Sequence, residues 1–171
     1  MTMTVDRSHL SSASQGEQVE IILVEDNPDD VELIRRALRR GHICNPIVVA
    51  SDGDEALSIL RRLASDRPPR PRVQPLVLLD LNLPRLDGRA LLQQIWSNPA
   101  LSGVPIIVMV NSDADAAGIG ATALGVVAFV RKPVDADAFV KALSNLGHYG
   151  LDVVRDRTEA APPRAAGRST D

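Results

Sequence analysis

The sequence predicts an α/β domain in which helices cover both faces of a doubly wound parallel sheet. Short apolar runs alternate along the chain with segments of helical periodicity. Hydrophobic residues make up 44% of the chain and aromatic residues only 2%, so the core must consist mainly of Val, Leu, Ile and Ala. Continuous β-branched runs of this kind are typical of strands buried on both faces. The predicted strands are VEIILV (19–24), PIVVA (46–50), PLVLLD (75–80), VPIIVMV (104–110) and VVAFV (126–130).

The first predicted helix begins at Asn27-Pro28 and ends at Gly41. Asparagine is a favourable N-cap, and proline is well tolerated at the first helical position. Glycine is common just after the last helical residue, which supports the end at Gly41. The residues that recur on one face of this helix are Val31, Ile34 and Leu38.

Four more helices are expected along the chain. The second runs from about Asp54 to Ala64, the third follows Asp87-Gly88, and the last begins near Asp135. The fourth, DADAAGIGATAL (113–124), should be short or frayed, because each interior glycine costs about 1 kcal/mol relative to alanine. The residues expected to face inward are Ala56, Leu57 and Leu60 in the second helix, Leu91, Leu92 and Ile95 in the third, and Phe139, Leu143 and Leu146 in the last.

Five strands that alternate with five helices favour the strand order 2-1-3-4-5 of flavodoxin-like folds. Ligands of such folds bind at the carboxyl ends of strands 1 and 3. Glu25 and Asp26 follow the first strand, Asp80 ends the third, and Lys132 follows the fifth. Converging carboxylates repel each other unless a cation lies between them, and oxygen ligands suit Mg²⁺. A carboxylate, a divalent metal and a lysine can support phosphoryl transfer; alternatively, each aspartate merely caps the helix that follows it.

Charge and composition exclude several functional classes. A net charge of −3 argues against general attraction to nucleic acid, and no apolar run approaches the ~20 residues of a membrane span. The single cysteine, Cys44, cannot form an internal disulfide and is typical of a reducing cytoplasm, so we expect a cytoplasmic protein. Polar segments at 1–18 and 150–171 are expected to be disordered around one domain at 19–149.

Three segments together resemble a known family. ILVEDNPDDVELIRRAL, LLDLNLPRLDG and FVRKPVD are similar to the response-regulator receiver domain, the CheY-like family, over residues 19–149. They most resemble its stand-alone members that work beside phytochrome-type histidine kinases. The resemblance implies a single-domain regulator of a two-component phosphorelay rather than an enzyme, beyond its own phosphorylation and dephosphorylation. It also implies a histidine kinase as partner and a homodimer through the fourth helix, fifth strand and fifth helix.

The resemblance also implies roles for individual residues. Asp80 stands at the phosphoacceptor position, and Asp26 corresponds to the acidic metal ligand, with Glu25 beside it. Asn82 would offer its backbone carbonyl to Mg²⁺. Lys132 would pair with Asp80 or with the phosphoryl oxygens, and its peptide bond to the following proline is cis in the family. The loop after the third strand contains Pro84, Asp87 and Gly88.

One position departs from the family pattern. A Thr or Ser that binds the phosphoryl group ends the fourth strand in the family, and the spacing from Asp80 places Val110 there. The aromatic switch position of the fifth strand is Phe129, which lacks the hydroxyl of tyrosine. We therefore expect a muted conformational response, unless Asn111 or Ser112 supplies the missing donor. The alternative function is a pseudo-receiver or adaptor that binds a partner constitutively.

Two further patterns carry less weight. Residues 118–123 match G-x-G-x-x-A, but they do not follow the first strand, as a dinucleotide-binding turn must. The basic, proline-rich stretch DRPPRPR (66–72) is either a stiff surface connection or a docking element for a kinase. The segment just beyond residue 147 is a candidate extension of the dimer surface.

Overall fold

The computed structural model describes residues 19–65, 75–83, 87–119 and 125–144. The predictions for the two terminal segments, for the loop at 66–72, for Pro84, for most of the G-x-G-x-x-A pattern and for Leu146 lie outside these residues.

In the described residues, ten elements alternate between strand and helix. The strands are β1 (Ile21–Val24), β2 (Ile47–Ala50), β3 (Leu76–Asp80), β4 (Ile106–Val110) and β5 (Val126–Arg131). The helices are α1 (Pro28–Arg40), α2 (Gly53–Ser65), α3 (Gly88–Ser97), α4 (Asp113–Ile119) and α5 (Ala136–Ser144). Each predicted strand is present, with bounds that differ from the prediction by no more than two residues.

The five strands form one parallel sheet in the order β2-β1-β3-β4-β5, which confirms the predicted flavodoxin-like topology. The central strands β1, β3 and β4 are buried along their whole length. In the register of β1 with β3, Val24 lies opposite Leu79. The carboxyl ends of these two strands therefore meet at one edge of the sheet, where the strand order reverses.

Two apolar layers cover the sheet. One layer packs α2 and α3 on one face, and it contains every inward residue predicted for these helices. The other packs α1 and α5 on the opposite face, around Ile34, Leu38, Phe139 and Leu143. Phe139 is 1% exposed, although the core otherwise depends on aliphatic side chains. The predicted inward faces are thus confirmed for the described residues.

The end of α1 shows why its glycine is needed. The helix ends at Arg40, as predicted, but Gly41 has an ordinary φ of −77°, and the left-handed residue is His42 at φ 55°. A Cβ at position 41 would lie 2.8 Å from Cγ2 of Val140. Gly41 therefore allows close packing of α1 against α5, rather than supplying a backbone conformation that other residues avoid.

The described part of α4 spans seven residues and buries none of them. Residues 120–124 of the predicted segment lie outside the described residues, so the predicted shortness of this helix stays a prediction. Among the described residues, the structure contains no helix that is both long and apolar enough to cross a membrane.

Candidate functional site

Three carboxylates converge at the edge where β1 and β3 end. Glu25 and Asp26 directly follow β1, and Asp80 is the last residue of β3. Each offers an oxygen, and these three oxygens lie within 4.8 Å of one another. Glu25 and Asp80 are 2% and 3% exposed, whereas Asp26 is exposed. The sequence prediction that these side chains meet at the strand ends is confirmed.

Lys132 brings a positive charge into this cluster from the end of β5. Its Nζ lies 2.9 Å from Oε2 of Glu25 and 2.9 Å from Oδ2 of Asp80. The same nitrogen lies 2.9 Å from Oδ2 of Asp30, in the first turn of α1. A lysine ammonium has three donors, so each carboxylate matches one of them. The peptide bond between Lys132 and Pro133 is cis, as the resemblance implies.

Asp30 is the member of this group that the sequence analysis did not identify. The signal available was the second aspartate of the NPDD segment, in the first turn of the helix that follows the strand-end acids. Its contact with Lys132 depends on how α1 lies against the end of β5, and this arrangement is a property of the fold rather than of local spacing.

The pKa values of both Glu25 and Lys132 are raised in this site, which favours the neutral form of the carboxyl group and the charged form of the amine. Burial raises the pKa of Glu25, and the nearby charge of Asp80 adds to this, against the lowering effect of Lys132 and of the Asn27 amide. Burial alone would lower the pKa of Lys132. The contacts with Asp30, Glu25 and Asp80 outweigh it, so the pKa is raised and the side chain remains an ammonium ion.

The carboxylate of Asp80 is held at both oxygens. The backbone amide of Asn82 donates to Oδ1 at 3.0 Å, while Lys132 donates to Oδ2. Asp80 lies in a cavity of about 520 Å³, which is also lined by Asn82 and Asn111. This geometry fixes the orientation of a buried carboxylate at an open cleft, as a nucleophile requires.

The end of β4 presents no hydroxyl at the predicted position. Val110 is 4% exposed and belongs to the apolar layer that packs α2 and α3. Ser112 is turned toward α4, where its Oγ lies 2.8 Å from Oδ2 of Asp115 and its amide donates to the same oxygen. The Asp115 amide donates in turn to Oγ of Ser112 at 3.3 Å, and this reciprocal arrangement caps the helix. Of the two alternative donors, Asn111 lines the cavity, whereas the Ser112 hydroxyl is already bonded to Asp115.

The aromatic position of β5 is partly open to solvent. Phe129 is 38% exposed, one of the two large hydrophobic side chains exposed among the described residues. It lies three residues before Lys132 on the same strand end.

Asp87 and Gly88, the described residues at the start of α3, pack tightly against the end of β3. Asp87 caps α3 by accepting from the Arg89 amide at 3.2 Å, and the Gly88 amide donates to Leu81 at 3.2 Å. A Cβ on Gly88 would lie 2.7 Å from the backbone oxygen of Asp80. Helix α3 thus begins against the backbone of the strand that ends in Asp80.

The donor set of the site fits a hard divalent cation. Carboxylate oxygens are the ligands that Mg²⁺ prefers, and three of them cluster within 4.8 Å. Two of these residues are buried, where like charges repel strongly. The one ammonium of Lys132 does not balance the three clustered carboxylates, so a further cation would stabilise the ionised cluster. The cluster has the composition typical of a receiver magnesium site.

Comparison with known proteins gives relatives that are similar in sequence over most of this chain. Response regulator Rcp1 of Synechocystis sp. is 31% identical over 135 residues, covering 78% of this chain and 90% of that protein. A probable methanogenesis regulatory protein, FilR2 of Methanothrix harundinacea, is 33% identical over 131 residues, covering 77% of this chain and 83% of that protein.

Solved structures of response regulators are also similar to this chain. The bacteriophytochrome response regulator AtBRR is 42% identical, with a TM-score of 0.66, and the match covers 77% of this chain and 94% of AtBRR. The bacteriophytochrome response regulator RtBRR is 35% identical, with a TM-score of 0.67, and the match covers 85% of each chain. Residues 21–144 also match the family described as the response regulator receiver domain. The chain therefore belongs to the response regulator receiver domain family, and its acidic pocket lies where the strand order reverses.

Proposed function

We propose that this protein accepts a phosphoryl group on Asp80 from a phosphohistidine of a histidine kinase and signals by contact with another protein. The observation that carries the proposal is the environment of Asp80. Asp80 is buried at the end of β3, and its two carboxylate oxygens are held by Lys132 and by the Asn82 amide. A buried, oriented carboxylate beside an ammonium is suited to attack a phosphorus atom.

The proposed transfer is a single nucleophilic displacement at phosphorus. An oxygen of Asp80 attacks the phosphorus of the phosphohistidine, and an O–P bond forms as the P–N bond breaks. The imidazole nitrogen leaves with the electron pair of that bond, and the product is an acyl phosphate. Lys132, 2.9 Å from Oδ2 of Asp80, offsets negative charge on the phosphoryl oxygens. Attack of water on phosphorus later releases inorganic phosphate and restores the carboxylate.

A divalent metal belongs to this proposal as a cofactor. Glu25, Asp26 and Asp80 would hold Mg²⁺, together with the backbone carbonyl of Asn82. When bound, Mg²⁺ supplies positive charge that offsets the charge of the phosphoryl oxygens. The chain would then catalyse only its own phosphorylation and dephosphorylation, and its output would be a protein contact rather than a reaction on a separate substrate.

The relatives support the kinase partner of this proposal. The structures AtBRR and RtBRR carry the description bacteriophytochrome response regulator, which supports a kinase of the phytochrome type as the phosphodonor. A homodimer through α4, β5 and α5 is part of the same proposal, and the exposed Phe129 of β5 supports an apolar contact on that face.

Acetyl phosphate with Mg²⁺ tests the phosphoacceptor. A phosphate-affinity gel should show a retarded band for the wild type and none for Asp80→Asn. Asp54→Asn, which removes an exposed carboxylate in the first turn of α2, is the matched control and should be retarded like the wild type. An unretarded wild type, or an Asp80→Asn variant retarded to the same extent, would contradict the proposal.

An adaptor that binds its partner constitutively is the second candidate. Val110 favours it, since no hydroxyl ends β4, and the Ser112 hydroxyl is already bonded to Asp115. Binding of the wild type to its kinase partner, measured with and without beryllofluoride, separates the two functions. A receiver that switches should show a changed affinity, whereas an adaptor should bind equally well in both states and equally well as Asp80→Asn.

A further inference from the structure

Asp30 differs from the other carboxylates that contact Lys132. It belongs to α1 rather than to a strand end, and it is not one of the three residues whose oxygens cluster. Its side chain is 31% exposed, against 1% for Glu25 and 5% for Asp80. Lys132 is thus shared between two buried carboxylates and one that reaches solvent.

We propose that Asp30 is a positioning residue that competes with the phosphoryl group for the ammonium of Lys132 and so weakens phosphoryl binding. This inference rests on the proposed phosphorylation of Asp80. In this inference Asp30 destabilises the phosphorylated state, whereas Lys132 stabilises it.

The competition follows from the number of donors. The three carboxylates each lie 2.9 Å from Nζ and match the three donors of an ammonium. A phosphoryl group on Asp80 adds oxygens that need a donor from the same nitrogen, so one existing contact must be given up. Asp30 can be released most easily, because its carboxylate reaches water, whereas release of Glu25 would take the ammonium away from a buried oxygen, Oε2.

The negative charge of Asp30 should also weaken phosphoryl binding, in addition to its use of a Lys132 donor. Asp30 lines the cavity that holds Asp80 and Lys132. Its negative charge therefore lies near the position where the anionic phosphoryl group would be bound, and like charges at this range repel. Replacing the carboxylate by a neutral amide should free one donor of Lys132 and remove this repulsion.

Asp29 provides a control at the neighbouring position. Both aspartates lie in the first turn of α1 and carry the same charge near the helix N-terminus. Asp29 is exposed and is absent from the residues that line the cavity. Asp29→Asn therefore reproduces the change in net charge and the loss of a helix-dipole interaction without changing the contacts of Lys132.

Beryllofluoride titrated into the full chain at saturating Mg²⁺, followed by calorimetry, tests the inference. Asp30→Asn should bind beryllofluoride about 3- to 5-fold more tightly than the wild type, the upper part of the range expected for one partly exposed charge contact. Asp30→Glu, which keeps the charge, and Asp29→Asn should remain within about twofold of the wild type. A purely structural role of Asp30 would weaken binding, so the direction of the change separates the two explanations.

Each remaining outcome counts against the inference. Unchanged or weaker binding by Asp30→Asn, with normal binding by the wild type, would overturn the role of Asp30 and leave the proposed function intact. A wild type that fails to bind beryllofluoride would overturn both. If Asp30→Asn does not fold, Asp30→Ser, which also removes the charge, is judged by the same criterion.

Discussion

The backbone amide of Lys132 donates a hydrogen bond to the carbonyl oxygen of Val110 at 2.8 Å. The residue that ends β4 thus holds the backbone of the residue that places an ammonium beside Asp80. This contact uses only the main chain of Val110. A change of its side chain can therefore alter contacts to a phosphoryl group while the position of Lys132 is kept.

Val110→Thr should strengthen binding of beryllofluoride. The resemblance places the phosphoryl-binding hydroxyl of the family at this position, and a hydrogen bond to a charged group contributes about 1.5–3 kcal/mol. The expected gain is therefore about tenfold or more in affinity, measured by calorimetry at saturating Mg²⁺.

Val108→Thr is the control for the cost of burying a hydroxyl. Val108 lies two residues earlier on β4, in the same apolar layer, and is 0% exposed. This variant should lose about 1–3 kcal/mol of unfolding free energy and gain no affinity for beryllofluoride. Equal affinity of wild type and Val110→Thr would show that position 110 does not contact the phosphoryl group.

The wild type should respond to beryllofluoride over a small region. Without a hydroxyl at Val110, the described residues of β4 offer no side-chain donor that could follow the phosphoryl group and displace α4. Amide signals in an NMR titration should shift near Asp80 and Lys132 but change little in α4 and in β5 around Phe129. Wide shifts across both elements would show a full switch and would leave Asn111, which lines the cavity, as its donor.

The strands and the acidic edge were predictable from sequence. Continuous apolar runs predict buried strands, and the acids that follow these runs predict which charged groups lie at the strand ends. Glu25, Asp26 and Asp80 required only the rule that parallel strands end at the same edge. The predicted end of α1 was also right, but its reason differed. Gly41 is needed because Val140 of α5 packs against it. These two residues are far apart in the chain, so a local sequence pattern cannot predict their contact.

Asp30 shows the same limit within the site. Its contact with Lys132 joins α1 to the end of β5, and a motif read along the chain does not reveal which of two adjacent aspartates faces that lysine. The bonding of the Ser112 hydroxyl to Asp115 was likewise not predicted, although the spacing of a serine three residues before an acid was a signal for a helix cap.

Gly88→Ala should destabilise the protein and reduce phosphorylation. The added Cβ would lie 2.7 Å from the Asp80 carbonyl oxygen and 2.7 Å from Cα of Leu81, and backbone atoms of a buried strand end cannot move aside easily. Overpacking of this kind costs about 1–3 kcal/mol. Chemical denaturation and the acetyl phosphate gel measure the two effects.

Gly118→Ala is the matched glycine substitution. Its Cβ would lie 3.1 Å from the guanidinium of Arg89, a flexible group that can shift. Alanine also favours the helical state by about 1 kcal/mol, so the net change should be small and phosphorylation should be normal. If Gly88→Ala matched this control in stability, α3 would not be held against β3 as closely as the structure indicates.

Magnesium should raise the melting temperature of the unphosphorylated protein. A ligand that binds only the folded state stabilises it by about 2.7 kcal/mol at 100 times its dissociation constant. Asp26→Asn should reduce this effect, because it removes one of the three clustered carboxylates. Since Asp26 is exposed and repelled by its neighbours, the variant should lose no stability without metal.

Thermal unfolding with Mg²⁺ and then with a chelator measures this dependence. Asp54→Asn should respond to Mg²⁺ like the wild type, since its exposed carboxylate lies outside the cluster. A melting temperature that is the same with metal and with chelator would count against metal binding at this cluster.

Lys132→Arg should impair phosphorylation although the charge is kept. One nitrogen of Lys132 lies 2.9 Å from three carboxylate oxygens, and a guanidinium spreads its donors over three nitrogens in a plane. The chain has 19 basic residues and only two lysines, Lys132 and Lys141, so Lys141→Arg on the exposed side of α5 is a matched control. The initial rate with acetyl phosphate should fall at least about tenfold in Lys132→Arg, a loss of ~1.4 kcal/mol, and stay unchanged in Lys141→Arg. Equal rates in both variants would mean that charge alone, and not the compact shape of the ammonium, is what the pocket requires.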